Sequence, residues 1–205
     1  MSLNEPLLVA TTNPGKIREI RAVLDPLPFR ALDDLAPIVE PEETGRTFAD
    51  NALLKARYYA RASGLTTIAE DSGLAIDALG GRPGVESARY PGATYDDKFA
   101  NLFRELEPHP RPWTARFVCS VAIVAPPDGA GRPDGRILFT CEATVEGEIT
   151  TEPRGTNGFG YDPIFVFPAY GGTLAAQTNE RKLAVAHRGR AFRRVREYLE
   201  RVGVR

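Results

Sequence analysis

The residues able to do chemistry stand in four polar groups along the chain: Thr11-Thr12-Asn13-Pro14-Gly15-Lys16; Glu43 with Lys55; Glu70-Asp71-Ser72; and Lys182 with His187-Arg188. Together they hold two or three carboxylates and three or four cations. A hard divalent ion takes oxygen from one or two carboxylates and fills its remaining positions with water and phosphate oxygens. Lysine and arginine then balance the remaining phosphate charge. The inventory therefore points to phosphoryl chemistry with Mg2+ as cofactor. Zinc is excluded by the lack of any Cys/His ligand spacing. Gly15-Lys16 lacks the glycine-rich loop of a Walker A motif, and there is no dinucleotide glycine fingerprint. A fifth stretch, Gly158-Phe159-Gly160-Tyr161-Asp162, suits a flat ring: its glycines allow close backbone approach, Phe159 offers a stacking face and Asp162 a directional acceptor. Taken alone, that stretch reads better as a tight turn with a core aromatic.

These residues need elements to position them. Leu7-Leu8-Val9-Ala10 reads as a short buried strand, and Pro14 opens a helical pattern to residue 25. Asn13 is placed to cap that helix, and Pro14 suits a first position that needs no amide donor. A helix start facing out of a strand end favours an anion, and Lys16 adds a full charge. Residues 33–46 are acidic and turn-rich. Thr47 and Asp50 frame the start of a second helix over 47–63, on which Asn51 and Lys55 share a face. Leu65–Ala69 reads as a strand with Glu70 and Asp71 at its carboxyl end, where open α/β sheets place ligands, and Leu74–Leu79 as a second strand. A helix is expected over 94–107, two long strands over Arg116–Ala125 and Arg136–Val145, a short strand over Ile164–Phe167, a short helical pattern over Asn179–Ala186 and a last helix over 190–201.

The chain has 205 residues, 42% of them hydrophobic, which suits a soluble globular protein of one domain over residues 1–205. A formal net charge of -1 gives no field that would draw it to nucleic acid or an anionic membrane. Two cysteines, Cys119 and Cys141, make no disulfide framework; core packing and a reducing cytoplasmic setting are the expectation. The sequence predicts neither a membrane span nor a signal peptide.

In combination the motifs resemble the inosine/xanthosine triphosphate pyrophosphatase family. They stand here as Ala10–Lys16; Glu43–Phe48 with Asn51–Ala56; Ala69–Leu74; Gly80–Val85 with Ser87–Tyr90; Gly158–Pro163; and Lys182 with His187-Arg188-Gly189, in the family's order across nearly the whole chain. Departures are local: Ala186 stands where serine is frequent, Glu70 where aspartate is, and Asn157 where glycine is.

The resemblance implies a hydrolase that cleaves between the α and β phosphates of deaminated purine nucleoside triphosphates (ITP, dITP, XTP), giving the monophosphate and pyrophosphate. It implies an α/β fold, elongated and two-lobed, with a long mixed β-sheet flanked by helices and a central cleft, and a homodimer. By the same resemblance Thr11, Thr12, Asn13, Pro14, Gly15 and Lys16 cradle the triphosphate, and Asp71 is general base and magnesium ligand. Glu43 is a second carboxylate at the metal, with Glu42 and Glu70 as helpers. Lys55, Lys182 and Arg188 meet phosphate or base. Ser72 and Phe159, Gly160, Tyr161 and Asp162 bind substrate, with Phe159 stacked on the base, and His187 and Arg188 read the purine. The partner is then a small-molecule nucleotide, with no nucleic acid and no membrane. Two alternatives stay open: a similar pyrophosphatase for other modified nucleotides, and a non-catalytic nucleotide-binding module.

Overall fold

A computed structural model describes residues 6–128 and 133–204. Among them, seven strands form one sheet in the order β2-β1-β3-β4-β5-β6-β7. The strands are β1 (Leu7–Ala10), β2 (Phe29–Ala31), β3 (Thr67–Ile76), β4 (Thr114–Ala125), β5 (Arg136–Ile149), β6 (Phe165–Phe167) and β7 (Gly172–Thr173). β1 runs parallel to both β2 and β3, whereas β6 is antiparallel to β5 and to β7. The sheet is therefore mixed, as expected. Five helices accompany it: α1 (Pro14–Leu24), α2 (Phe48–Ser63), α3 (Tyr95–Leu106), α4 (Asn179–Val185) and α5 (His187–Arg201). None is long and apolar enough to cross a membrane.

Chain contacts divide the molecule into two compact units. The first comprises 1–71, 119–143 and 188–205, and the second 72–118 and 144–187. β3, β4 and β5 thus contribute residues to both. Each unit has its own apolar core. In the first, Leu7, Val9 and Ile68 pack with Ile20 and Leu24 of α1 and with Phe192, Val195 and Leu199 of α5. A second cluster there joins Leu8, Ala10 and Ala69 to Ala52, Ala56 and Tyr59 of α2. β1 is buried on both faces, which is why it reads as a continuous apolar run. The core of the second unit joins Leu74 and Ile76 to Phe99, Leu102 and Leu106 of α3, with Trp113, Phe117, Tyr161 and Phe165.

The helix starts follow the side chains that cap them. Asn13 Oδ1 accepts from the Gly15 and Lys16 amides at 2.8 and 3.1 Å. Thr47 with Asp50, and Thr94 with Asp97, close reciprocal boxes at α2 and α3.

Two expectations change. Residues 65–79 hold one continuous strand, β3, so Glu70 and Asp71 lie in its middle rather than at its end. Their charges find partners on the flanking helices, so the strand need not stop at them. Residues 145–149 continue the second long strand, so β5 reaches Ile149. α5 begins at His187 rather than residue 190, carrying His187 and Arg188 into its first turn. The Pro-, Gly- and Asp-rich link between β4 and β5 reads from the sequence as hairpin chemistry with a long tip; its residues 129–132 lie outside the described set.

Candidate active site

In the first unit the site is built on two neighbours in one strand. Successive strand residues point to opposite faces. Asp71 meets α2: Asn51 Nδ2 donates to Asp71 Oδ2 at 3.0 Å, and Lys55 Nζ lies 3.6 Å from Asp71 Oδ1. Asn51 and Lys55 reach one carboxylate because they are four residues apart on a helix. Lys55 Nζ also donates to Glu43 Oε1 at 2.5 Å, tying the acidic loop to the helix. Glu70 faces the other way. Lys16 Nζ from the first turn of α1 lies 3.1 Å from Glu70 Oε1, and Arg188 Nε from the first turn of α5 lies 3.3 Å from the same oxygen. Arg188 Nη1 continues to Glu19 Oε2 at 2.7 Å. Cys119 Sγ stands 3.7 Å from Glu70 Oε2.

These seven side chains comprise four carboxylates (Glu19, Glu43, Glu70, Asp71) and three cations (Lys16, Lys55, Arg188), mostly withdrawn from water. Burial raises the Asp71 pKa, and Lys55 and Lys16 offset this only in part. Burial would also raise Glu70, but Arg188, Lys16 and Lys55 outweigh it and hold that carboxyl well below its ordinary range. For Lys55, burial alone would lower the pKa; Asp71, Glu70 and Glu43 together raise it. Asp71 is thus the less firmly ionised of the adjacent acids.

A divalent cation fits this donor set. One carboxylate exceeds the cations present, and Asp71 and Glu43 share Lys55 between them. Among the described residues no three Asp, Glu, His or Cys side chains form a ready cage.

The second unit holds the glycine–aromatic loop. Asp162, 3% exposed, accepts from Lys182 Nζ at 2.5 Å and from the Phe159 amide at 2.8 Å. Lys182 Nζ lies 5.3 Å from the centre of the Phe159 ring. Gly158 has φ +80°, and a Cβ there would lie 2.2 Å from Asp162 Oδ2 and 2.6 Å from Lys182 Nζ. Glycine is required at 158 for both reasons. The Tyr161 hydroxyl donates to the Ser87 carbonyl at 2.9 Å, which leaves its ring in the core. His187 is buried and stacked on Phe117, with ring centres 4.8 Å apart.

The structure gathers Lys16, Glu43, Lys55, Glu70, Asp71 and Arg188 in the first unit, and Phe159, Gly160, Tyr161, Asp162 and Lys182 in the second. Arg188 lies in a buried ion-pair chain with Glu19 and Glu70. Thr11 and Thr12 have local partners: Thr11 Oγ1 accepts from the Asn13 amide, and Thr12 Oγ1 donates to Glu40 at 3.4 Å. Ser72 is half-buried on β3 directly after Asp71. Asn51 and Glu19 were not among the expected site residues. Asn51 had a signal, its four-residue spacing from Lys55; Glu19 had none, since its partner lies 169 residues away.

This fold and donor set define a phosphate-handling α/β protein. The chain belongs to the Ham1 family, whose model matches residues 7–198. It is 45% identical over 203 residues to the dITP/XTP pyrophosphatase of Geobacter sulfurreducens, covering 97% of this chain and 98% of the relative. It also resembles the solved HAM1 protein of Coxiella burnetii, with TM-score 0.85, 37% identity and 96% and 98% of the two chains covered. A crystal structure of a nucleoside-triphosphatase / dITP/XTP pyrophosphatase from Mycobacterium abscessus matches at TM-score 0.72 and 40% identity, covering 93% of this chain and 98% of the other.

Proposed function

We propose that this protein hydrolyses dITP, XTP and ITP to the nucleoside monophosphate and pyrophosphate, with magnesium, and so removes deaminated purines from the nucleotide pool. The observation that carries the reading is the meeting of Asp71 with Asn51, Lys55 and Glu43 in a member of a family with full-length dITP/XTP pyrophosphatase relatives.

Asp71 and Glu43 would hold the magnesium, which supplies charge neutralisation at the phosphates. Asp71 also takes the proton of the attacking water. Asn51 and Lys55 orient its two oxygens. Lys16 exchanges its partner Glu70 for phosphate oxygen. The α1 amides serve less than a bare helix start would, because Asn13 already accepts from two of them. Phe159 offers the base a stacking face. Lys182 and Asp162 read polar atoms at its edge, where the 6-oxo group of a deaminated purine accepts a hydrogen bond that the adenine amine cannot. A donor left unpaired in that way discriminates by roughly 10⁴.

Pyrophosphate release from ITP, dITP, XTP and ATP, with and without magnesium, tests the reading. The three deaminated substrates are expected to be turned over only with the metal, and ATP poorly. Equal turnover of modified pyrimidine triphosphates would favour the broader pyrophosphatase. No release at all would favour a binding module. We further propose a cytoplasmic homodimer, as the family resemblance implies, to be checked by sedimentation.

A further inference from the structure

Tyr95 opens α3 and is 39% exposed although its ring is held on three sides. It meets Tyr161 edge-on at 5.5 Å and 90° and lies 6.1 Å from Phe99. Lys98 Nζ stands 5.0 Å over its face while donating to the Ala88 carbonyl at 2.6 Å. The reciprocal Thr94–Asp97 cap fixes the backbone from which the ring projects. The hydroxyl end is directed to the loop described above: a Cβ on Gly160 would lie 3.5 Å from the Tyr95 oxygen. Burial and the nearby Asp162 charge both raise its pKa, so the phenol keeps its proton. Packing thus uses the ring, whereas the hydroxyl lies beside Gly160, in the loop that carries Phe159 and Asp162.

We propose that the Tyr95 hydroxyl is a further substrate-binding group, hydrogen-bonding the base of a nucleotide seated on the Gly158–Asp162 loop. The inference rests on the base-binding role given to that loop. A phenol both donates and accepts, and its hydrogen rotates to suit. It therefore adds affinity for the base rather than choice between an oxo and an amino group. The reacting phosphate is handled elsewhere, so the loss belongs in KM.

Tyr95→Phe removes the hydroxyl and keeps the ring in place. Steady-state kinetics with ITP and dITP, inhibition by inorganic tripolyphosphate, and the melting temperature would be measured on variant and parent. We expect KM to rise about three- to tenfold for ITP and dITP alike, the range of one net hydrogen bond. The rise in KM should exceed any fall in kcat, with the tripolyphosphate inhibition constant and the melting temperature unmoved. A KM within twofold of the parent overturns the proposal. So does a rise confined to ITP, which would place the contact on the ribose 2′-hydroxyl, or an equal weakening of tripolyphosphate, which would make the effect general. A parent that releases no pyrophosphate from either nucleotide overturns the functional reading and this inference with it. An active parent with an unchanged variant overturns this inference alone.

Discussion

Asp71 and Glu70 are neighbours of the same chemical class, yet their surroundings send them in opposite directions. Asp71 is met by one amide and one shared ammonium, and burial prevails. Glu70 is met by a guanidinium and an ammonium at close range, and they prevail. Replacing Asp71 by Asn keeps size and polarity but removes the proposed base. We expect kcat for ITP to fall about 10²- to 10⁴-fold, read by pyrophosphate release. A variant as active as the parent would show that Asp71 has neither role. Arg188→Met strands Glu19 and Glu70 without their shared cation. It should cost about 3–5 kcal/mol, measured by urea unfolding, as when one member of a buried pair is removed. A base-reading side chain at the surface would instead leave stability untouched and change only KM.

At the level of elements, α2 is the device that matters. Its start is set by the Thr47–Asp50 box, one turn before Asn51 and two before Lys55, so a fault at the cap travels to the site. Thr47→Ala should lower unfolding free energy by about 1 kcal/mol in a denaturant titration. Gly45 is held against the same turn: its amide donates to Asn51 Oδ1 at 2.7 Å, and a Cβ there would lie 2.5 Å from that oxygen. Gly45→Ala must therefore push Asn51 away from Asp71. It should lower kcat more than Thr47→Ala does, although it adds only one methyl group, and assays of the two variants side by side check the order.

For the whole molecule, the buried charges govern the response to pH. The folded-state pKa of Glu70 lies below its unfolded value of 4.5. Its ion pairs therefore contribute stability that is present above about pH 4.5 and is lost as pH falls toward the folded value. Asp71, raised above 3.8 in the metal-free protein, acts with the opposite sign: it opposes folding when ionised, and the penalty lifts as pH falls through its folded pKa. Without magnesium, urea unfolding between pH 6 and 3 should show the Asp71→Asn variant losing stability more steeply than the parent. An identical slope would mean that Asp71 has an ordinary pKa.

Much of the site could be read from the chain because its signals are local. Caps announce helices within three residues, Asn51 and Lys55 share a face through helix periodicity, and the glycines around Phe159 mark a backbone that a Cβ would obstruct. The partners of buried charge could not be read, since pairing depends on which distant elements the sheet brings alongside. Glu70 and Asp71 look like one acidic pair in sequence. Only the continuous β3 strand, with α1 and α5 supplying cations to one residue and α2 to the other, gives the two acids different partners. Composition and local pattern thus determined the elements and the kind of chemistry, because both depend on near neighbours. Tertiary structure decided which carboxylate is held below its ordinary pKa range and which is raised, because that depends on electrostatics across more than a hundred residues of chain.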